Sequence, residues 1–205
     1  PVFQGLGVFF VALERHFGWS RTAISLAFSL TRAEGALLGP IEGYLTDRWG
    51  TRRMVFIGLI VLSIGLISFG LIQGLISFYT AFLIIFAGSG IGGFLPLVAA
   101  INHWFVRRRA AAMAIGMIGI NAGGMLVPIL AWSVTTFGWR ETVIGLGFII
   151  AILTVPLTKL IRNRPEEYGL RPDGDPPHDL QEKGDYPEGD MVDEPNFTVI
   201  EALRT

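Results

Sequence analysis

Gly43-Tyr-Leu-Thr-Asp47-Arg48-Trp-Gly50-Thr-Arg52-Arg53 is a short charged turn set between two long apolar segments. Downstream of it, residues 54 to 106 contain no Asp, Glu, Lys or Arg. A tight charged connection between such runs reads as a loop at a membrane surface, because a chain crossing ~30 Å of hydrocarbon needs about 20 consecutive apolar residues.

Composition agrees with that reading. Of 205 residues 51% are hydrophobic and only 16% are charged, with 26 glycines, which excludes an ordinary soluble domain. The net charge of −1 conceals an asymmetry. Residues 1–164 carry 13 Lys/Arg against 5 Asp/Glu, whereas residues 165–205 carry 3 against 12. The chain is therefore a basic-rimmed membrane unit followed by an acidic tail. It has no cysteine, which excludes disulfides, thiolate metal sites and cysteine nucleophiles.

Hydropathy places six spans, at approximately 1–13, 21–46, 54–72, 77–102, 110–136 and 141–160. Helix is the form expected, since backbone groups inside a bilayer have no water to bond and the alternating ten-residue pattern of a barrel is missing. The run from Pro1 to Leu13 is too short to cross and reads as the remainder of a truncated first helix. The connections after spans 2, 4 and 6 hold Arg48, Arg52 and Arg53, then Arg107, Arg108 and Arg109, then six more basic residues from Lys159 onward. The opposite connections hold only Arg15, Arg21 and Arg140. By the positive-inside rule the first set faces the cytoplasm, in the plasma (inner) membrane. Residues 161–205, rich in Pro, Gly and acid, read as a cytoplasmic linker. The sequon Asn196-Phe-Thr198 would then carry no sugar.

Charges inside spans are costly and by default mark a substrate path, an ion path or an internal pair. Arg32 and Glu34 lie near the middle of span 2. At ~100° per residue, Ser25, Ser29, Arg32 and Gly39 share a stripe, while Glu34 lies about 200° away, so the two charges need different partners. Arg32 is either a cation facing an anion or part of a buried ion pair. Glu34 is either a protonatable coupling group or a structural partner. Glu42, nearer the cytoplasmic end, reads as structural. Gln4 and Asn121 are further polar candidates on the path, Asn121 either lining a cavity or bonding another helix.

Gly88-Ser-Gly90-Ile-Gly-Gly93 matches a dinucleotide-binding spacing, but it lies inside an uncharged span with no acidic residue about 20 positions on. It reads instead as a surface that lets helices approach, as do Gly35, Gly39 and Gly43 on span 2 and Gly116, Gly119, Gly123 and Gly124 on span 5. Catalytic constellations and metal-spaced histidine pairs are missing. Nothing calls for a cofactor or for nucleic acid, and an enzyme is not expected.

In the turn, Asp47 ends one helix while Arg52 and Arg53 begin the next, each opposing the local helix dipole by ~0.3–1 kcal/mol. Lipid phosphates explain the arginines. Asp47 is expected to be held by an arginine of the turn or by another helix N-terminus, as a latch that exists in one arrangement of the helices.

The turn resembles the loop motif G-x-L-x-D-R-x-G-x-[RK]-[RK] of the major facilitator superfamily, between its second and third helices. That resemblance implies an all-α membrane protein of twelve helices, of which this chain is the six-helix N-terminal half. It gives Asp47, Arg48 and Arg52 the role of holding the outward-facing state, with Gly43 and Gly50 permitting the turn and Arg53 completing the motif. Trp104-Phe105-Val-Arg107-Arg108-Arg109, followed by Ala112, Gly116 and Gly119, is similar to the fifth-helix motif of monocarboxylate and oxalate/formate carriers. Gly18-Trp19-Ser20 and Pro165-Glu-Glu-Tyr-Gly169-Leu look like bacterial members, and Phe197 to Thr205 like the approach to a seventh helix. The resemblance implies a secondary transporter of a small carboxylate working by alternating access in a lipid bilayer, with a coupling proton or counter-anion. It departs from some carriers in having Gln4 where they place a lysine. A non-transporting membrane sensor on the same fold is the alternative.

Overall fold

A computed structural model describes residues 2–165, 168–170 and 172–174; the side chains of residues 2–6 and of Gly174 lie outside that description. The described chain is helical: α1 (Val2–Phe17), α2 (Arg21–Trp49), α3 (Thr51–Gly70), α4 (Leu75–Gly92), α5 (Phe94–Trp104), α6 (Arg109–Ala122), α7 (Val127–Phe137) and α8 (Trp139–Leu160). A 3-10 turn, Gly123–Leu126, joins α6 to α7. The sequon and the approach to a seventh helix lie outside the described residues.

Four helical stretches among these are long and apolar enough to cross a membrane: Thr51–Gly70, Leu75–Trp104, Arg109–Phe137 and Trp139–Leu160. α2 has the length but carries six charged residues, and α1 has only 16 residues.

Two spans expected as single helices are interrupted. The fourth breaks at Gly93, and the fifth tightens into the 3-10 turn at Gly123–Leu126. Both breaks have the same cause. Pro96 has no N–H for the carbonyl of Gly92, and Pro128 none for that of Gly124, and each ring crowds that carbonyl. Glycine runs at 88–93 and 123–124 make bending there cheap. Pro40 and Pro156 sit in helices that continue through them.

Connections between helices are tight. Ser20 caps α2, its Oγ accepting from the Ala23 N–H at 3.2 Å. One residue, Gly50, joins α2 to α3, and one, Gly138, joins α7 to α8; their φ values of 80° and 95° suit glycine.

The core lies among α1, α2, α3, α4 and α8, with Phe69, Phe78 and Phe82 fully enclosed. Phe78 meets Phe69 and Phe82 with ring centroids 5.9 and 5.6 Å apart. The α3–α4 contact is glycine-mediated: a Cβ on Gly58 would overlap the Gly92 backbone, and one on Gly88 would overlap Leu62. The stretch 88–93 is thus a packing surface. The stripe Gly35, Gly39 and Gly43 on α2 is different. A Cβ at any of the three meets nothing within 4 Å, so the expectation that this stripe packs helices tightly is not met inside this unit.

Candidate functional site

Side chains of α2 divide between two environments. Ser25, Ser29 and Arg32 are exposed along one face. Thr31, Glu34 and Glu42 turn inward to line a cavity of about 810 Å³, whose other walls include Phe86 and Ser89 of α4 and Leu153 of α8. Arg32 is not among the lining residues. Among the described residues Arg32 makes no hydrogen bond or ion pair, and it stands on the open face of the helix.

Glu34 is half-buried, and its Oε2 is enclosed without a hydrogen-bond partner. Glu42 is 8% exposed, and no cation among the described residues pairs with it. The structural role expected of Glu42 therefore has no ion pair behind it among the described residues. Gly90 makes the room for it: a Cβ there would come within 2.6 Å of Glu42 Oε1.

Asn121 neither lines that cavity nor bonds another helix. Its Nδ2 donates to the Met117 carbonyl of its own helix at 2.9 Å. A mid-helix amide satisfied one turn back needs no neighbour. Gln4 lies on α1, with its side chain outside the described part.

At one end of the bundle the three basic connections meet. Asn163, just beyond α8, reaches the start of α3. Its Oδ1 accepts from the Arg52 backbone N–H at 2.9 Å and from the Thr51 hydroxyl at 3.3 Å. This is an N-cap supplied by a distant residue, satisfying donors that a helix start leaves orphaned. The Trp104 indole N–H donates to the Arg162 carbonyl at 3.2 Å. Asp173 Oδ2 accepts from the backbone N–H groups of Arg107 at 2.7 Å and Val106 at 3.0 Å, and Arg107 Nε lies 3.9 Å away. These backbone donors, Arg107 first, hold the Asp173 carboxyl below the usual carboxylate range. The segment after α8 therefore ties the α2–α3 and α5–α6 connections together.

Asp47 departs from expectation. It is exposed and, among the described residues, makes no hydrogen bond or ion pair. The nearest helix N-terminus is taken by Asn163, and Arg48 Nη1 donates to the Tyr44 hydroxyl at 3.0 Å instead. Gly43 lies within α2, leaving the turn itself to Gly50. Arg52 and Arg53 border a depression beside Asn163 and Lys159. In the fifth-helix motif Phe105 ends α5 in extended conformation and its carbonyl accepts from Arg109 Nε at 3.4 Å. Arg108 immediately precedes α6. A Cβ on Gly116 would meet Ile101 and Leu97 at 3.5 Å, whereas Gly119 faces open space. Asn163 and Asp173 were missed in the sequence. Their only signal there is a polar residue three positions past the last span and an acidic one thirteen past it.

The family model of the Major Facilitator Superfamily matches residues 2–201. The chain belongs to the Major Facilitator Superfamily. Within it the similar proteins include monocarboxylate transporter 11 of Mus musculus, 31% identical over 161 residues, which cover 78% of this chain and 36% of the relative. Monocarboxylate transporter 6 of Homo sapiens is 30% identical over 149 residues, covering 70% and 29%. The MFS-type transporter pynF of Aspergillus niger is 31% identical over 132 residues, covering 64% and 30%. The chain spans about a third of the length of the curated relatives it matches.

Proposed function

We propose that this chain is the first six-helix half of a secondary transporter that carries a small organic anion, a carboxylate, by alternating access. Two such halves rock about a site near the membrane midplane. Arg32 is the residue that meets the anion. The observation that carries this role is its position: a cation near the middle of α2 on an open helix face, with no partner among the described residues. An unpaired charge at that depth is costly and is expected to face a polar path. Three relatives named as transporters support the direction of the reading. The connections after α2, after α5 and after α8 face the cytoplasm of the plasma (inner) membrane, since they hold the basic residues. Asp47, with no partner among the described residues, forms its latch with the other half in one state of the cycle. Coupling is to a proton or to a counter-anion.

The test is uptake by the intact protein in proteoliposomes, with radiolabelled monocarboxylates and an imposed pH gradient. Arg32→Ala is expected to abolish uptake while membrane insertion stays normal. Undiminished uptake by that variant overturns the role of Arg32. Saturable binding of the solute without flux in the unmodified protein favours a sensor over a transporter.

A further inference from the structure

The cavity lined by Glu34 and Glu42 is chemically opposite to the face that carries Arg32. Its walls are apolar and aromatic, from residues such as Phe86, Phe94 and Leu153. Its titratable lining groups are the two glutamates, with no Lys, Arg, His or Asp among them. Glu42 is 8% exposed, points into the cavity, and has neither a hydrogen bond nor an ion pair among the described residues. Glu34 Oε2 is enclosed and likewise unpartnered. A carboxylate against apolar cavity walls without a cation is expensive, and a fold that only needed stability does better with apolar side chains there. The glycine at position 90 leaves the room that the Glu42 carboxylate occupies, since a Cβ there would come within 2.6 Å of Oε1.

The spacing indicates the ligand. Eight residues at 1.5 Å each put the two glutamates ~12 Å apart along the axis of α2. A bare metal ion gathers several oxygens at 2–2.6 Å, and no cluster of three metal-ligating side chains occurs among the described residues. A volume of about 810 Å³ falls in the range of pockets that enclose drug-sized organic molecules. Apolar walls would take the body of such a molecule, and the carboxylates its positive charge.

We infer that Glu34 and Glu42 form a binding site for an amphiphilic organic cation inside the six-helix unit, separate from the face of Arg32. The site stands whether or not the protein carries an anion elsewhere, because it shares no residue with that reading's Arg32.

Tetraphenylphosphonium is a suitable probe, with tetraphenylborate as the anion of the same shape. Binding of each to the intact protein in detergent is measured by equilibrium dialysis. Tetraphenylphosphonium is expected to bind saturably, tetraphenylborate at least tenfold more weakly. Glu34→Gln and Glu42→Gln are each expected to weaken phosphonium binding tenfold or more, and Gly90→Ala to weaken it by displacing Glu42. Glu14→Gln, at the exposed pair with Arg21, leaves it unchanged. Equal binding of the two ions means a merely greasy cavity and overturns the inference, as does undiminished binding by Glu34→Gln. If Glu42→Gln does not fold, the comparison of the two ions on the unmodified protein still decides. Loss of anion uptake in Arg32→Ala with phosphonium binding intact would separate this site from the transport reading.

Discussion

Replacing Asn163 with Ala removes the acceptor on which the first turn of α3 depends. Two donors lose their partner. The Arg52 N–H, now 2.9 Å from Asn163 Oδ1, is exposed, so water replaces the acceptor at a net cost of ~0.5–1 kcal/mol. The Thr51 hydroxyl is different. Thr51 is 2% exposed, and its 3.3 Å bond to Asn163 has no ready substitute, so leaving it unsatisfied adds ~1 kcal/mol. The total, about 1.5–2 kcal/mol, lies within the range for the loss of an N-cap. Asn163→Asp keeps both acceptors and places a negative charge at the positive end of α3, a gain of ~0.3–1 kcal/mol that offsets part of any rearrangement. The assay is equilibrium unfolding of the intact protein in mixed micelles, followed by far-ultraviolet circular dichroism. The expected order of stability is Asp at or above Asn, with Ala lower by the stated amount. An Ala variant within ~0.3 kcal/mol of the parent, or an Asp variant below Ala, refutes the reasoning.

Other consequences are checked in the same way. Gly58→Leu forces α3 away from α4, because even a Cβ there overlaps the Gly92 backbone, and is expected to destabilise by ~2 kcal/mol or more or prevent folding, read as loss of monodisperse protein. Tyr79→Phe removes the 2.9 Å bond from its hydroxyl to the Ala23 carbonyl and should cost about 1 kcal/mol in the same unfolding assay. Asp173 has a carboxyl held below its unfolded value by the N–H groups of Arg107 and Val106, so its contribution is present above the usual carboxylate range and is lost as pH falls through the depressed value. Hydrogen exchange at those two amides should therefore stay slow at neutral pH and lose protection on acidification. Asp173→Asn should leave them weakly protected throughout, and an unchanged pH profile in that variant would refute the carboxylate's role.

What the sequence showed of this fold was its polarity along the chain. The uncharged run 54–106 marked helices that cross, and the charged turn marked the short link at Gly50. The glycines of 88–93 read correctly as contact surface, because a packed bundle has few other uses for them. Pairing between helices was not legible in the same way. The stripe at Gly35, Gly39 and Gly43 has the spacing of a packing face yet meets nothing in this unit, since spacing says which residues share a face and not what stands opposite. Whether Glu42 has a cation beside it is illegible for the same reason, since that depends on which helices surround it. Asn163 and Asp173 act across more than 60 residues of sequence, and their acceptors meet backbone donors that no side-chain motif records. The breaks at Gly93 and at Gly123–Leu126 were in principle readable, each four residues or so before a proline, had the missing donor been weighed against hydropathy.

The break at Gly93 divides one membrane crossing into a fixed portion and a jointed one. α4 is bolted to α3 through Gly58, Gly88 and Gly92. α5, beyond the joint, carries Trp104 and the connection whose N–H groups grip Asp173. A ligand that wedges α5 away from α2 at the cavity would therefore act as a crank on Arg162 and Asp173, the two residues past α8 that hold the far end of α5.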